Sequence, residues 1–205
     1  MNHKHLELTK QILAIAQSGL HYTESDYDID RYEQLRQIGL EMMQHLSGAE
    51  IPVIEALFSN TAHYATPMVD VRAIIFKDDE ILLIKEKTDS RWAPPGGWAD
   101  VGYTPSEVAV KEVKEEAGLD VKAKRLLGVL DKRCYPHPPE PYYVYKIFIE
   151  CEITGGVAKE GMETLDVGFF KIDSLPELSE NRVLESQLVD IYNRRNNGSF
   201  EAVVD

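Results

Sequence analysis

Glu112, Glu115 and Glu116 lie within five residues, a short way behind the turn Pro94-Pro95-Gly96-Gly97. Spacings of three and four place the three carboxylates on one face of a helix. Like charges at that spacing destabilise a helix unless something positive neutralises them. A hard divalent cation does so through oxygen ligands, and Mg²⁺ commonly bridges such carboxylates to phosphates. The same stretch carries helix punctuation at both ends. Thr104-Pro-Ser-Glu107 reads as a capping box with proline in the first turn, and Gly118 as a left-handed cap. An ordinary acidic helix with a solvated face is the competing reading.

Apolar periodicity divides the chain in two. Up to about residue 60 it is helical: Leu8, Ile12 and Ile15 form one stripe that Gly19 ends, and Tyr32, Leu35, Ile38, Met42 and Leu46 form a second that Ser47-Gly48 stops. A short third helix holds Ile54, Leu57 and Phe58. Three short helices bury little surface alone and are expected to dock on the rest of the chain or on another subunit. From residue 69 the period changes to that of strands. Val69–Phe76 is expected to pair back through an Asp78-Asp79 turn with Glu80–Lys85 as a hairpin. Further strands are expected near 122–134, 142–153 and 166–172, a final helix over Leu178 to Asn193, and loose residues after it.

Residues Gly97 to Leu119 resemble the Nudix box, GX5EX7REUXEEXGU with U an aliphatic residue. Gly97, Glu112, Val113, Glu115, Glu116, Gly118 and Leu119 match in register over twenty-three residues. Tyr103 stands where the first glutamate belongs and Lys111 where the arginine belongs. The resemblance implies an α/β fold, the Nudix α/β/α sandwich with a mixed sheet over residues 67–200, preceded by a small all-helical N-terminal domain over residues 1–62. Such an extension is similar to that of a bacterial subgroup of CDP-choline and ADP-ribose pyrophosphatases. Pro-Pro-Gly-Gly-Trp-Ala-Asp-Val-Gly, from Pro94 to Gly102, most resembles the CDP-choline pyrophosphatases.

What the resemblance implies is metal-dependent hydrolysis of a nucleoside diphosphate linked to another moiety, with Mg²⁺ or Mn²⁺ as cofactor. It carries metal ligation to Glu112, Glu116 and the Gly96 carbonyl, with Glu115 as third ligand or base. Some members take their base from a late loop, and Glu163 is the candidate here, with Glu160 second. Tyr103 and Lys111 sit at positions that pair in the family, which suggests a phenol-to-ammonium contact. CDP-choline, giving CMP and phosphocholine, is the first expected substrate. ADP-ribose, giving AMP and ribose 5-phosphate, is the nearest alternative, then RNA ends. A nucleotide-sensing protein without turnover is the alternative from another class.

Other candidates come from the residues themselves. Arg72 lies inside an apolar strand, and a buried cation wants an anion. Substrate phosphate is the expected partner and Asp70 the alternative. Lys85 ends the partner strand and is a second candidate. Trp98 follows the glycines, and Tyr143 belongs to a crowded aromatic strand with Tyr142 and Tyr145. The tyrosine strand can stack a base or cradle a quaternary ammonium, with ordinary strand packing as the alternative. Trp98 is a candidate to line the pocket and Tyr103 a further substrate-binding candidate.

Composition excludes rather than assigns. A net charge of −13 argues against a dedicated nucleic-acid binder. No apolar run approaches the ~20 residues that span a bilayer, and no signal-peptide core is visible, so a cytoplasmic protein is expected. Cys134 and Cys151 show no metal spacing. They fall on neighbouring expected strands and read as reduced core thiols. Amphipathic helices ahead of the domain fit a homodimer interface or a cover over the site.

Overall fold

A computed structural model describes residues 3–57, 64–199 and 201–205. The chain divides into two compact units, Met1–Pro67 with Pro139–Tyr142, and Met68–Pro138 with Tyr143–Asp205.

The first unit holds helices α1 (His3–Tyr22), α2 (Asp26–Ser47) and α3 (Ile51–Leu57). Leu6, Leu13, Leu40, Met43 and Ile54 form its buried core. Phe58 and the side chain of Leu57 lie outside the described residues. Gly19 does not stop α1. A side chain there would lie 2.3 Å from the Tyr32 ring, so the glycine admits α2 at close range. Gly39 admits Leu13 in the same way. These contacts choose the buried faces, and they are not the expected stripes. Leu8, Ile15, Leu35 and Ile38 all point to solvent, Ile15 being 59% exposed and Ile38 51%. Gly48 caps α2 as expected, its N–H donating to the Gln44 carbonyl with φ at 72°.

The second unit contains β1 (Met68–Ile74), β2 (Phe76–Lys77), β3 (Glu80–Glu86), β4 (Trp92–Ala93), β5 (Gly96–Trp98), α4 (Pro105–Ala117), β6 (Leu119–Asp131), β7 (Val144–Gly156), β8 (Thr164–Lys171), α5 (Glu185–Asn196) and β9 (Val203–Val204). One sheet runs β5-β1-β7-β6-β9, with β1 parallel to β7 and β6 parallel to β9. In the other, β3 is flanked by β2, β4 and β8, all antiparallel. Side chains of β1 and β3 alternate between two cores. Val71, Ala73, Leu82 and Ile84 meet Val108, Ala109 and Val113 of α4. Ile74, Ile81 and Leu83 meet Leu188 and Ile191 of α5. Both strands are thus covered on both faces, which is why they read as near-continuous apolar runs. The mixed sheet between helices is the expected architecture.

Several boundaries differ from expectation. The segment from Val69 to Phe76 is not one arm of a hairpin. Its first part pairs with β5 and β7, and only Phe76–Lys77 turns back on β3. The chain changes sheets at Ile75, whose carbonyl accepts from Leu82 N. Asp78 and Asp79 make the expected turn, at φ 49° and 65°. The final helix starts at Glu185 rather than Leu178, because Glu177–Ser179 is held extended beside Trp92. Trp92 N donates to the Glu177 carbonyl and Ser179 N to the Trp92 carbonyl. The last residues are not loose: Val203 and Val204 pair with Gly128 and Val129. Both cysteines are free thiols, but only Cys151 is a buried one: Cys134 is exposed in a 3₁₀ turn (Lys132–Cys134) beyond β6, not in the core or on a strand as expected. No helix among the described residues is long and apolar enough to cross a membrane.

Candidate active site

The capping box of α4 is present in full. Thr104 N donates to Glu107 Oε2 at 2.8 Å, and Glu107 N to Thr104 Oγ1 at 3.3 Å. Pro105 opens the helix and Gly118, at φ 70°, ends it. This punctuation sets the rotation of α4 that turns Val108, Val113 and Glu116 inward. Glu116 is 6% exposed. Its Oε2 accepts from Gly96 N at 2.8 Å. A side chain on Gly96 would lie 2.0 Å from the Val71 carbonyl, so only glycine lets β5 lie this close to β1 at the point where its amide meets the carboxylate. Gly97 is next: a side chain there would sit 3.5 Å from the Glu112 carboxyl carbon. The Gly-Gly pair and the two glutamates therefore face each other.

Burial pushes the Glu116 carboxyl up to about 8, and the charges of Glu86 and Glu112 add to that, against the Gly96 hydrogen bond and Arg72. Lys111 sits on the outer side of the cluster. Its Nζ lies 3.2 Å from Glu112, 3.4 Å from Glu115 and 3.4 Å from Asp100. The hydrogen bond and charge of Glu112 raise its pKa. Tyr103 does approach Lys111, but through its ring face, 5.9 Å from Nζ to the centroid.

Arg72 does not reserve its charge for a phosphate. Its guanidinium makes a two-pronged contact with Asp70 (Nη2 to Oδ1 2.8 Å, Nε to Oδ1 3.0 Å) and donates to the Pro94 carbonyl. Asp70, the alternative partner, is the one it meets, because both are buried on the same face of β1 two residues apart. Lys146, fully buried on β7 opposite Asp70, donates to the same carboxylate. Burial raises the Asp70 pKa, but Arg72 and Lys146 outweigh it and hold the group ionised. Glu86 Oε1 lies 3.9 Å from Arg72 Nη1 and 2.6 Å from Arg182 Nε. Arg182 in turn contacts Asp89, Ser179 and Thr88. Alternating charges thus run from Lys146 through Asp70, Arg72, Glu86 and Arg182 to Asp89, alongside Glu116.

The remaining candidates are more dispersed. Trp98 pairs with Asp70, and the Tyr143 carbonyl accepts from Met68 N, so the two flank the start of β1 from opposite sides. Trp98 is half exposed, and the Tyr143 ring lies 5.7 Å from the Arg133 guanidinium. Lys85 is partly buried on β3, opposite Trp92 and Asp166. Glu160 and Glu163 are exposed on the loop before β8, and Lys87 N donates to the Glu163 carbonyl. Glu86, Lys146 and Arg182 escaped the reading of the sequence. Lys146 carried the signal that had singled out Arg72, a cation inside an apolar run.

His137 shares the Lys146 neighbourhood. Its Nδ1–H donates to the Glu180 carbonyl at 2.6 Å, and its Nε2 is buried with no partner among the described residues. Burial depresses its pKa from 6.5 to about 4, helped by Lys146 and Lys132. The unfolded chain therefore takes up a proton below pH 6.5 that the folded protein refuses until about pH 4. Stability from this group is complete above pH 6.5 and is lost as pH falls towards 4, on the order of 3 kcal/mol in all. In His137→Gln the amide can still donate to Glu180, so the fall in Tm across that window is expected to shrink. An unchanged slope would refute the assignment.

Comparison with known proteins identifies the arrangement. The NUDIX domain profile matches residues 66–189. The chain belongs to the Nudix family. Residues 3–58 match a UDP-X-like, N-terminal oligomerisation domain. A putative ADP-ribose pyrophosphatase of Bacillus subtilis is 46% identical over 185 residues, covering 90% of this chain and 89% of the relative. A Streptococcus suis crystal structure of an ADP-ribose pyrophosphatase is 41% identical at TM-score 0.62, over 68% of this chain and all of that one. A UDP-X diphosphatase structure is 33% identical at TM-score 0.64, over 98% of both chains. This chain is a Nudix pyrophosphohydrolase. Nudix hydrolases generally use divalent metal ions. Among the described residues no three acidic, histidine or cysteine side chains converge as a ready-made metal site. The donor chemistry nevertheless fits a hard cation. The charge of Glu112 raises the cost of ionising Glu116, and the two carboxylates offer only oxygen and lie against the Gly96-Gly97 backbone.

Proposed function

We propose that this Nudix hydrolase cleaves the pyrophosphate of ADP-ribose, releasing AMP and ribose 5-phosphate. The observation that carries the chemistry is the buried Glu116 carboxylate, seated on the Gly96 amide and facing Glu112 across the Gly-Gly pair. The ADP-ribose pyrophosphatase relatives support the choice of conjugate. CDP-choline is the second reading, supported by the stretch from Pro94 to Gly102.

Glu112, Glu116 and the Gly96 carbonyl would hold Mg²⁺ or Mn²⁺, with Glu115 as a further ligand or base. When bound, such a cation supplies charge neutralisation for the phosphate oxygens and acidifies water. Glu163 accepts the proton of the attacking water, whose oxygen bonds to phosphorus as the bridging P–O bond breaks. Trp98 and Tyr143 stack against the base or the second moiety, while Lys85 and Tyr103 contact the substrate's polar groups. Arg72 is withdrawn from the binding set, because Asp70 takes its charge.

The functional unit is a homodimer. Leu8 and Ile15 on α1 and Leu35 and Ile38 on α2 leave apolar side chains in water, on the segment that matches an oligomerisation domain. Ile15→Glu is expected to convert the dimer to monomer in sedimentation, and a dimer that persists would refute this interface.

Initial rates with ADP-ribose, CDP-choline, UDP-glucose and a short RNA, each with Mg²⁺ and with chelator, test the substrate. ADP-ribose is expected to lead by about tenfold or more in kcat/KM, with all turnover lost in chelator. A lead for CDP-choline would overturn the substrate choice. Nucleotide binding without hydrolysis of any of the four would overturn turnover itself.

A further inference from the structure

The loop from Val157 to Glu163 is fastened to the last turn of α4, which carries Glu115 and Glu116. A helix leaves its final carbonyls without partners, and here the loop supplies them. Lys159 N donates to the Ala117 carbonyl at 3.0 Å. Thr164, only 1% exposed, donates through Oγ1 to the Glu116 carbonyl at 2.9 Å. The same hydroxyl accepts from Gly161 N at 2.7 Å. Any side chain on Gly161 would lie 1.8 Å from the Glu115 carbonyl, so loop and helix are in backbone contact. On its other side the loop is tied to the end of β3. Lys87 N donates to the Glu163 carbonyl at 3.1 Å, and Lys87 Nζ to the Met162 carbonyl.

Glu163 therefore sits between two fixed points. Its own carbonyl is held from β3, and the next residue is anchored in the helix end by its side chain. Little freedom is left to its Cα, although its side chain is exposed. It lies close enough to Glu86 to raise that group's pKa, which puts it on the side of the charged network. A plain helix cap needs a donor for Glu116, but it does not need the hydroxyl to collect the Gly161 amide as well. The double bond pattern closes the loop on itself and sets where Glu163 emerges.

We propose that Thr164 is the positioning residue that holds the loop acid Glu163 in fixed register with the helix acids Glu115 and Glu116. The proposal rests on Glu163 being the proton acceptor. Valine at 164 keeps the shape and removes both hydrogen bonds, whereas serine keeps the hydroxyl.

The test is a double-mutant cycle on ADP-ribose hydrolysis, with thermal unfolding of each variant. Thr164→Val is expected to lower kcat by about 10- to 100-fold with KM nearly unchanged, and Thr164→Ser to restore it to within about threefold. In the Glu163→Gln background, Thr164→Val is expected to cost less than about twofold more. Equal loss in both backgrounds overturns the proposal, because Thr164 then acts through the helix alone. A slow Glu163→Gln beside an undiminished Thr164→Val overturns the positioning role while sparing the proton acceptor. Full activity of Glu163→Gln overturns the proton acceptor and the proposal with it. Should Thr164→Val fail to fold, amide exchange in the wild type decides. Protection of Gly161 and Lys159 N–H supports the fastening, and exchange at open-loop rates overturns it.

Discussion

Glu116→Gln is expected to lower kcat by about 10³-fold or more while leaving the fold intact. Both halves follow from the same environment. Glutamine has the size of the acid, and its Oε1 can still accept from Gly96 N, so the hydrogen bond at 2.8 Å survives. Burial already favours the neutral form of Glu116, with a pKa of about 8, so a neutral amide suits the folded protein. What glutamine cannot offer is a full negative charge to a cation. The wild type is expected to gain Tm on addition of Mg²⁺ and the variant to gain much less, since a ligand stabilises only the state that binds it. Hydrolysis rates and unfolding curves with and without Mg²⁺ check this. A variant that turns over within about tenfold of wild type would remove Glu116 from the chemistry.

Asp70→Asn is expected to destabilise the second unit by about 3–5 kcal/mol. Asparagine fills the same space but removes the carboxylate that Arg72 and Lys146 share, leaving two buried cations side by side with only Glu86, 3.9 Å from Arg72, as a more distant counter-charge. Removing one partner of a buried ion pair costs more than the pair itself contributes, because the remaining charge has lost both water and its anion. Replacing all three by Leu, Met and Met is therefore expected to recover most of the loss. For a chain of this length the single change corresponds to a fall in Tm of about 6–20 °C. Denaturant unfolding of the single and triple variants measures both. A loss below about 1 kcal/mol for Asp70→Asn would mean that water reaches the cluster.

These variants probe different layers of what was legible. The carboxylate face of α4, its capping box and its glycine stop depend on side chains within a few residues of each other. Local chemistry dictates them, and the sequence shows them. The same holds for β1 and β3, whose apolar runs announce strands wherever they pair. The partner of each strand was not legible. The run from Val69 to Phe76 looks like a single strand, and only the second sheet explains why it divides at Ile75. The apolar stripes of α1 and α2 were visible too, but not which stripe faces inward. Gly19 and Gly39 decided that by letting the two helices approach along a different line.

The site divides in the same way. Sequence alone determined that a helix would present Glu112, Glu115 and Glu116 behind two glycines, because residue spacing and helix period suffice for that. Tertiary structure alone decided that Glu116 is buried on the Gly96 amide, that Arg72 spends its charge on Asp70, and that Glu86, Lys146 and Thr164 belong to the same neighbourhood. Most of those relations join residues far apart in the chain, Lys146 and Asp70 by 76 positions, while the Arg72–Asp70 contact, though local, stayed one of two readings until burial chose it. Their energies depend on burial and distance, and neither exists until the two sheets and α4 have packed.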